Sequence, residues 1–159
     1  MSTLQKNKLQ RRIRVYIGIV IAGLLLSGIT AFPLETELAI LVRHQPTGFI
    51  GIWLNKVYEA VKTINTKYPF LSYGTDWLAF AHVMLAILFI GPLKDPVKNI
   101  WVIEFGLIAA VSIFPLAFIA GSIRGIPLFW TMIDYSFGVV TLLLLIPCYA
   151  DIKRLNTLP

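Results

Sequence analysis

The chain has 159 residues, 57% hydrophobic and 14% charged, with a formal net charge of +6. That apolar content, at a mean hydropathy of +0.78, excludes a soluble domain and predicts an all-α integral membrane protein. The basic excess reads as topology and attraction to membrane lipids. No basic run interleaves with aromatics on a polar face, so nucleic acid is not an expected partner.

Lys6, Lys8, Arg11, Arg12 and Arg14 precede an apolar run over about 13–32. About 20 residues is a spanning length, whereas a cleavable signal core has roughly 7–15, so this first segment reads as a retained anchor. The loop 34–75 follows. Within it TELAILVRH (36–44) predicts a turn or two of helix, broken by Pro46-Thr47-Gly48. Ile50, Trp53, Leu54, Val57, Val61 and Ile64 then recur on a stripe roughly 100° wide. Lys56, Glu59 and Lys62 fall opposite, which predicts an amphipathic helix over 49–67 lying on the membrane surface.

Three more spans are expected at about 76–92, 100–121 and 129–149, the first of them short enough to need flanking residues. The expected architecture is one membrane domain, a four-helix bundle with the amphipathic helix in its first loop. An even number of spans puts both termini on one side. That side carries nine basic residues against five on the other, so the termini are expected in the cytoplasm and loop 34–75 outside.

Helices in lipid pack through small and polar residues. The expected inward faces are Gly23, Ser27 and Ala31 in the first span, and Thr75, Ala79, His82 and Ala86 in the second. In the third they are Gly106, Ala109, Ala110, Ala117 and Ala120, and in the fourth Trp130, Asp134, Gly138 and Thr141. Asp134 lies four residues inside Trp130, roughly 6 Å deep, and His82 six residues beyond Asp76, roughly 9 Å deep. An ion at such depth requires a partner, and intramembrane ionisable groups mark functional sites by default. Asp134 is therefore expected near His82 and Arg124. The candidate ligand-binding residues are His82, Asp134, Arg124, Asp76, Thr141 and Glu104. Glu104, with Lys98 nearby in sequence, reads first as a residue snorkelling to the inner interface or ion-paired there.

Catalytic chemistry finds little footing. Cys148 is the lone cysteine, which removes disulfide, dithiol and zinc-thiolate sites and leaves a packing role. A membrane haem needs two histidines at matched depth; His82 is alone there and His44 lies in the loop. No metal or other cofactor is expected. No nucleophile elbow or phosphate loop surrounds Ser112, Ser122 or Ser136.

The stretches DWLAFAHVMLAILFIGPLKDP (76–96), IWVIEFG (100–106) and SIRGIPLFWTMIDYSFG (122–138) resemble a group of small bacterial multi-span membrane proteins with no assigned function, over roughly residues 70–150. The resemblance implies the bacterial cytoplasmic (inner) membrane. In architecture alone the chain is loosely similar to the sterol-isomerase and sigma-2-receptor superfamily, which has a compact helical membrane bundle with internal acids. Two readings follow. The first is a non-enzymatic membrane protein that binds a lipid-like ligand or a partner subunit through an outer-leaflet polar cluster. The second is a small membrane enzyme, an isomerase-like proton shuttle, or a proton-coupled carrier using His82 with Asp134 or Glu104. Membrane lipids, a lipophilic small molecule and a second copy of the chain are the candidate partners.

Overall fold

Turns between the helices fall at Pro33, at Pro46-Thr47-Gly48 and at Gly125, whereas Pro115 and Pro147 lie inside helices. The computed structural model describes residues 3–157, in which helices follow one another and no strand occurs. They are α1 (Thr3–Ala31), α2 (Leu34–Arg43), α3 (Gly48–Lys67), α4 (Pro69–Leu88), α5 (Ile90–Lys94), α6 (Ile100–Arg124) and α7 (Leu128–Asn156).

Pro33 closes α1, because proline disfavours helical backbone in the residue before it. Glu35 and Glu37 in the first turn of α2 and Arg43 in its last match the helix dipole. The segment read as a turn or two is thus a full helix. Proline is favoured at the first helical position, and α4 begins with Pro69. Gly125 ends α6 at φ 66°, a left-handed conformation that glycine adopts without strain, and Ile126 N–H donates to the Gly121 carbonyl at 2.9 Å. Between α5 and α6, Lys98 N–H donates to Asp95 Oδ1 at 3.1 Å. The Asn99 amide reaches back to the carbonyls of Gly91 (3.2 Å) and Asp95 (2.9 Å). The short loop is therefore held by side chains.

Four helical stretches are long and apolar enough to cross a membrane: Gln5–Ala31, Pro69–Lys94, Ile100–Arg124 and Leu128–Asn156. At 1.5 Å per residue even the shortest exceeds the roughly 30 Å of a hydrocarbon core. The second span acquires its length by starting seven residues before Asp76 and continuing through α5. Large apolar side chains along these helices face outward: Leu26, Leu116, Phe118, Ile123 and Leu143 are each about two-thirds exposed or more. A soluble protein does not expose apolar surface on this scale.

The chain divides into two units, Gly23–Ala86 and the segments flanking it. In the flanking unit, α6 packs along α7. A methyl group added at Gly138 would lie 3.0 Å from the Ala110 carbonyl oxygen, and one at Gly106 would lie 2.7 Å from Leu145 Cδ1. These glycines let the backbones approach, as small residues do in membrane helices. Ile13, Ile17, Ile103, Leu145, Cys148 and Ile152 are fully enclosed. Cys148 takes the packing role expected of it.

In Gly23–Ala86, the end of α1 meets α4 at Gly28, where an added methyl would lie 2.9 Å from the Ala79 carbonyl oxygen. The close approach falls at Gly28, while Gly23 and Ser27 of the expected ladder are exposed. Helix α3 covers the predicted amphipathic stretch. Trp53, Leu54, Val57, Val61 and Ile64 are half-buried, and Lys56, Glu59 and Lys62 are exposed. Ile50 of the same stripe is exposed.

Candidate functional site

In the flanking unit, the periodicity of α7 places Thr131, Asp134, Gly138, Thr141 and Leu145 on the helix's covered face. Gly138 and Leu145 are packed against α6, and Asp134 and Thr141 are half-buried beside them. Arg124 is exposed at the end of α6. The ion pairs among the described residues are Arg12 with Asp151 and Lys98 with Asp95, so Arg124 and Asp134 form none. Glu104 is exposed, and its Oε1 accepts a hydrogen bond from the Tyr149 hydroxyl at 3.2 Å. Lys98, expected beside Glu104, sits 3.9 Å from Asp95 instead. The hydroxyls of Ser112, Ser122 and Ser136 donate to carbonyls of their own helices at 2.8, 2.7 and 2.6 Å. That is the usual fate of serine in an apolar helix, and it leaves none of them activated by a neighbouring base.

In Gly23–Ala86, His82 donates from Nδ1 to the Leu78 carbonyl at 2.8 Å. That bond uses the imidazole's one proton in its neutral form and leaves Nε2 as an acceptor. Asp76 lies one and a half turns earlier on α4 and is exposed. It borders the most site-like feature of this unit, a cleft of about 340 Å³.

The cleft has a wall of Phe32, Leu34, Val61, Ile64 and Leu71, and its polar lining is Glu35, Asn65, Ser72, Thr75 and Asp76. Three of these polar groups form a chain. The Ser72 hydroxyl donates to Asn65 Oδ1, and Asn65 Nδ2 donates to Glu35 Oε2 at 2.6 Å. The order is forced, because an ionised carboxylate only accepts; the amide nitrogen must face Glu35 and the amide oxygen the hydroxyl. One short network thus ties α2, α3 and α4 together. It presents acceptors on Glu35 and Asp76 to whatever enters. A volume of this size, apolar on one side with convergent polar groups on the other, is the general form of a small-molecule site.

Of the residues lining this cleft, Asp76 is among the candidates named from the sequence, there as part of a cluster with His82 and Asp134, and Glu35, Asn65 and Ser72 are not. A signal for Asn65 was present. It lies four residues beyond Val61, on the apolar stripe of α3, where a polar side chain needs a partner. The pair between Arg12 and the buried Asp151 was missed as well. Asp151 is only 3% exposed, with Oδ2 3.4 Å from Arg12 Nε. The Arg12 guanidinium also donates to the Tyr16 hydroxyl at 3.2 Å. Asp151 follows Cys148 by three residues and precedes Leu155 by four, which puts it on the buried stripe of α7.

No protein-family model, no curated protein and no solved structure is significantly similar to this chain.

Proposed function

We propose that the protein is a small, non-enzymatic, multi-pass protein of the bacterial cytoplasmic membrane that binds a lipid-like molecule in the cleft between Glu35 and Asp76. In this reading the four long helices span the bilayer as a bundle with both termini in the cytoplasm. Helix α3 lies at the outer surface and the cleft opens at the outer leaflet. Nine basic residues in the termini and the α5–α6 loop, against five elsewhere, support that orientation.

The observation that carries the binding role is the cleft itself, about 340 Å³ with an apolar wall and a hydrogen-bonded polar side. Its acceptors favour a ligand whose polar end donates hydrogen bonds, such as a hydroxyl group, while the apolar wall takes a hydrocarbon chain.

The test uses the purified full chain in a mild neutral detergent with 1-oleoylglycerol, a single-chain lipid with two hydroxyl donors. Binding to the folded state raises the thermal midpoint with ligand concentration by mass action. The wild type is expected to respond and Glu35→Ala to lose the response. An equal response from both would remove the cleft from consideration. Topology is tested separately with a membrane-impermeant thiol reagent on intact cells. Lys62→Cys is expected to label from outside and Lys153→Cys to remain unlabelled; the opposite pattern would invert the orientation.

A further inference from the structure

Three arginines crowd the start of α1, and the structure separates their roles. Arg12 turns to the buried carboxylate of Asp151. Arg11 and Arg14 point away, are exposed, and make no ion pair among the described residues. With Asn7, Gln10 and Val15 they line a shallow groove of about 350 Å³. Residues at this spacing share one helix face. The groove therefore holds two guanidinium groups one turn apart, flanked by two side-chain amides, with no carboxylate in its lining.

Immediately beyond it the same face becomes apolar and open. Val15 and Ile19 are about half exposed, and a methyl added at Gly18 would meet nothing within 4 Å. Cationic donors for an anion thus stand directly above an uncovered hydrocarbon-lined seat. That sequence of chemistry matches a phospholipid read from head to tail. Planar guanidinium forks suit phosphate oxygens, and the amides add neutral donors.

We propose that this face of α1 is a headgroup site for an anionic phospholipid, with the phosphate held between Arg11 and Arg14 and an acyl chain laid along Val15, Gly18 and Ile19. The site shares no lining residue with the Glu35–Asp76 cleft and takes an anionic headgroup, where the cleft takes a neutral hydrogen-bond donor. It rests on the membrane reading of α1, because the groove must lie at the bilayer interface to be filled.

The full chain is reconstituted in nanodiscs of equal parts phosphatidylglycerol and phosphatidylcholine, extracted gently, and the retained lipid identified by native mass spectrometry. Phosphatidylglycerol is expected to be enriched, by about fivefold for each arginine at low salt, with the enrichment shrinking as ionic strength rises. Arg11→Gln/Arg14→Gln should abolish that enrichment. Lys153→Gln/Arg154→Gln removes the same charge from exposed positions in the last turn of α7 and should keep it. Equal retention of both lipids by the wild type would overturn the proposal. So would enrichment surviving in the α1 variant, or falling equally in both variants, which would indicate bulk charge and no defined site.

Discussion

The α1–α7 contact around Asp151 joins the first helix to the last, whereas the cleft around Asn65 joins the successive helices α2, α3 and α4. Around Asp151 the neighbouring stripe is closed: Ile13, Ile17, Cys148 and Ile152 are fully enclosed. Around Asn65 three helices leave open volume, and the polar groups that join them remain only half-buried. A closed contact is optimised for the folded state alone, whereas an open one leaves polar groups available to a third party. The difference marks one region as structural and the other as the place to seek binding.

The largest way to break this division is Arg12→Ala. Removing the cation leaves a buried carboxylate uncompensated, which is the costlier side of such a pair to lose. Here Asp151 stays buried without its cation. Asp151→Asn should cost less, since Arg12 is half exposed and reaches water. Unfolding in detergent titrations would measure both, and the opposite order would show that the pair is not what holds this contact.

Gly138→Ala should follow. Its methyl would press on the Ala110 carbonyl and the Phe114 ring at 3.0 and 3.1 Å. Overpacking of this kind costs about 1–3 kcal/mol, read as a lowered thermal midpoint. A neutral result would mean that α6 and α7 slide apart easily.

Asn65→Ala sharpens the comparison from the other side. It removes both bonds of the cleft network, yet interhelical hydrogen bonds in membranes average about 0.6 kcal/mol, so the loss should be about 1 kcal/mol. Its main effect should be a lost response to 1-oleoylglycerol. If Asn65→Ala unfolds as readily as Arg12→Ala, the cleft is a structural joint and the division fails. The smallest effect is expected from Tyr149→Phe. Its partner Glu104 is exposed and can be solvated without it, so thermal stability should change by no more than about 0.5 kcal/mol.

The four long helices could be read from hydropathy because apolar runs of that length have few other fates. Their ends could not. Hydropathy stops at the charges of Lys6 to Arg14, although Gln, Lys, Leu and Arg are good helix formers and the helix runs back to Thr3. The covered face of α7 was legible from Gly138 and Thr141 around Asp134. In α1 the small-residue rule admitted two registers, and packing chose Gly28, which alternates with the ladder that was read. Asp151 was invisible for a simpler reason: the apolar run was taken to end at Tyr149, two residues short of a buried carboxylate. Glu35 and Ser72 come together only because α2, α3 and α4 converge, which no local pattern records.

The Arg12–Asp151 pair also sets an order of events during synthesis. Its two members lie near opposite ends of the chain, one in the first helix and one in the last turns of the final helix. Contacts so distant in sequence form late. Until α7 has been made, Arg12 lacks the Asp151 carboxylate, and the contact beside the apolar stripe of Ile13 and Ile17 stays open. The earlier helices therefore form before this contact can close. A chain truncated before Asp151 is expected to lack this closure and to be cleaved more readily by proteases, even though every earlier helix is present.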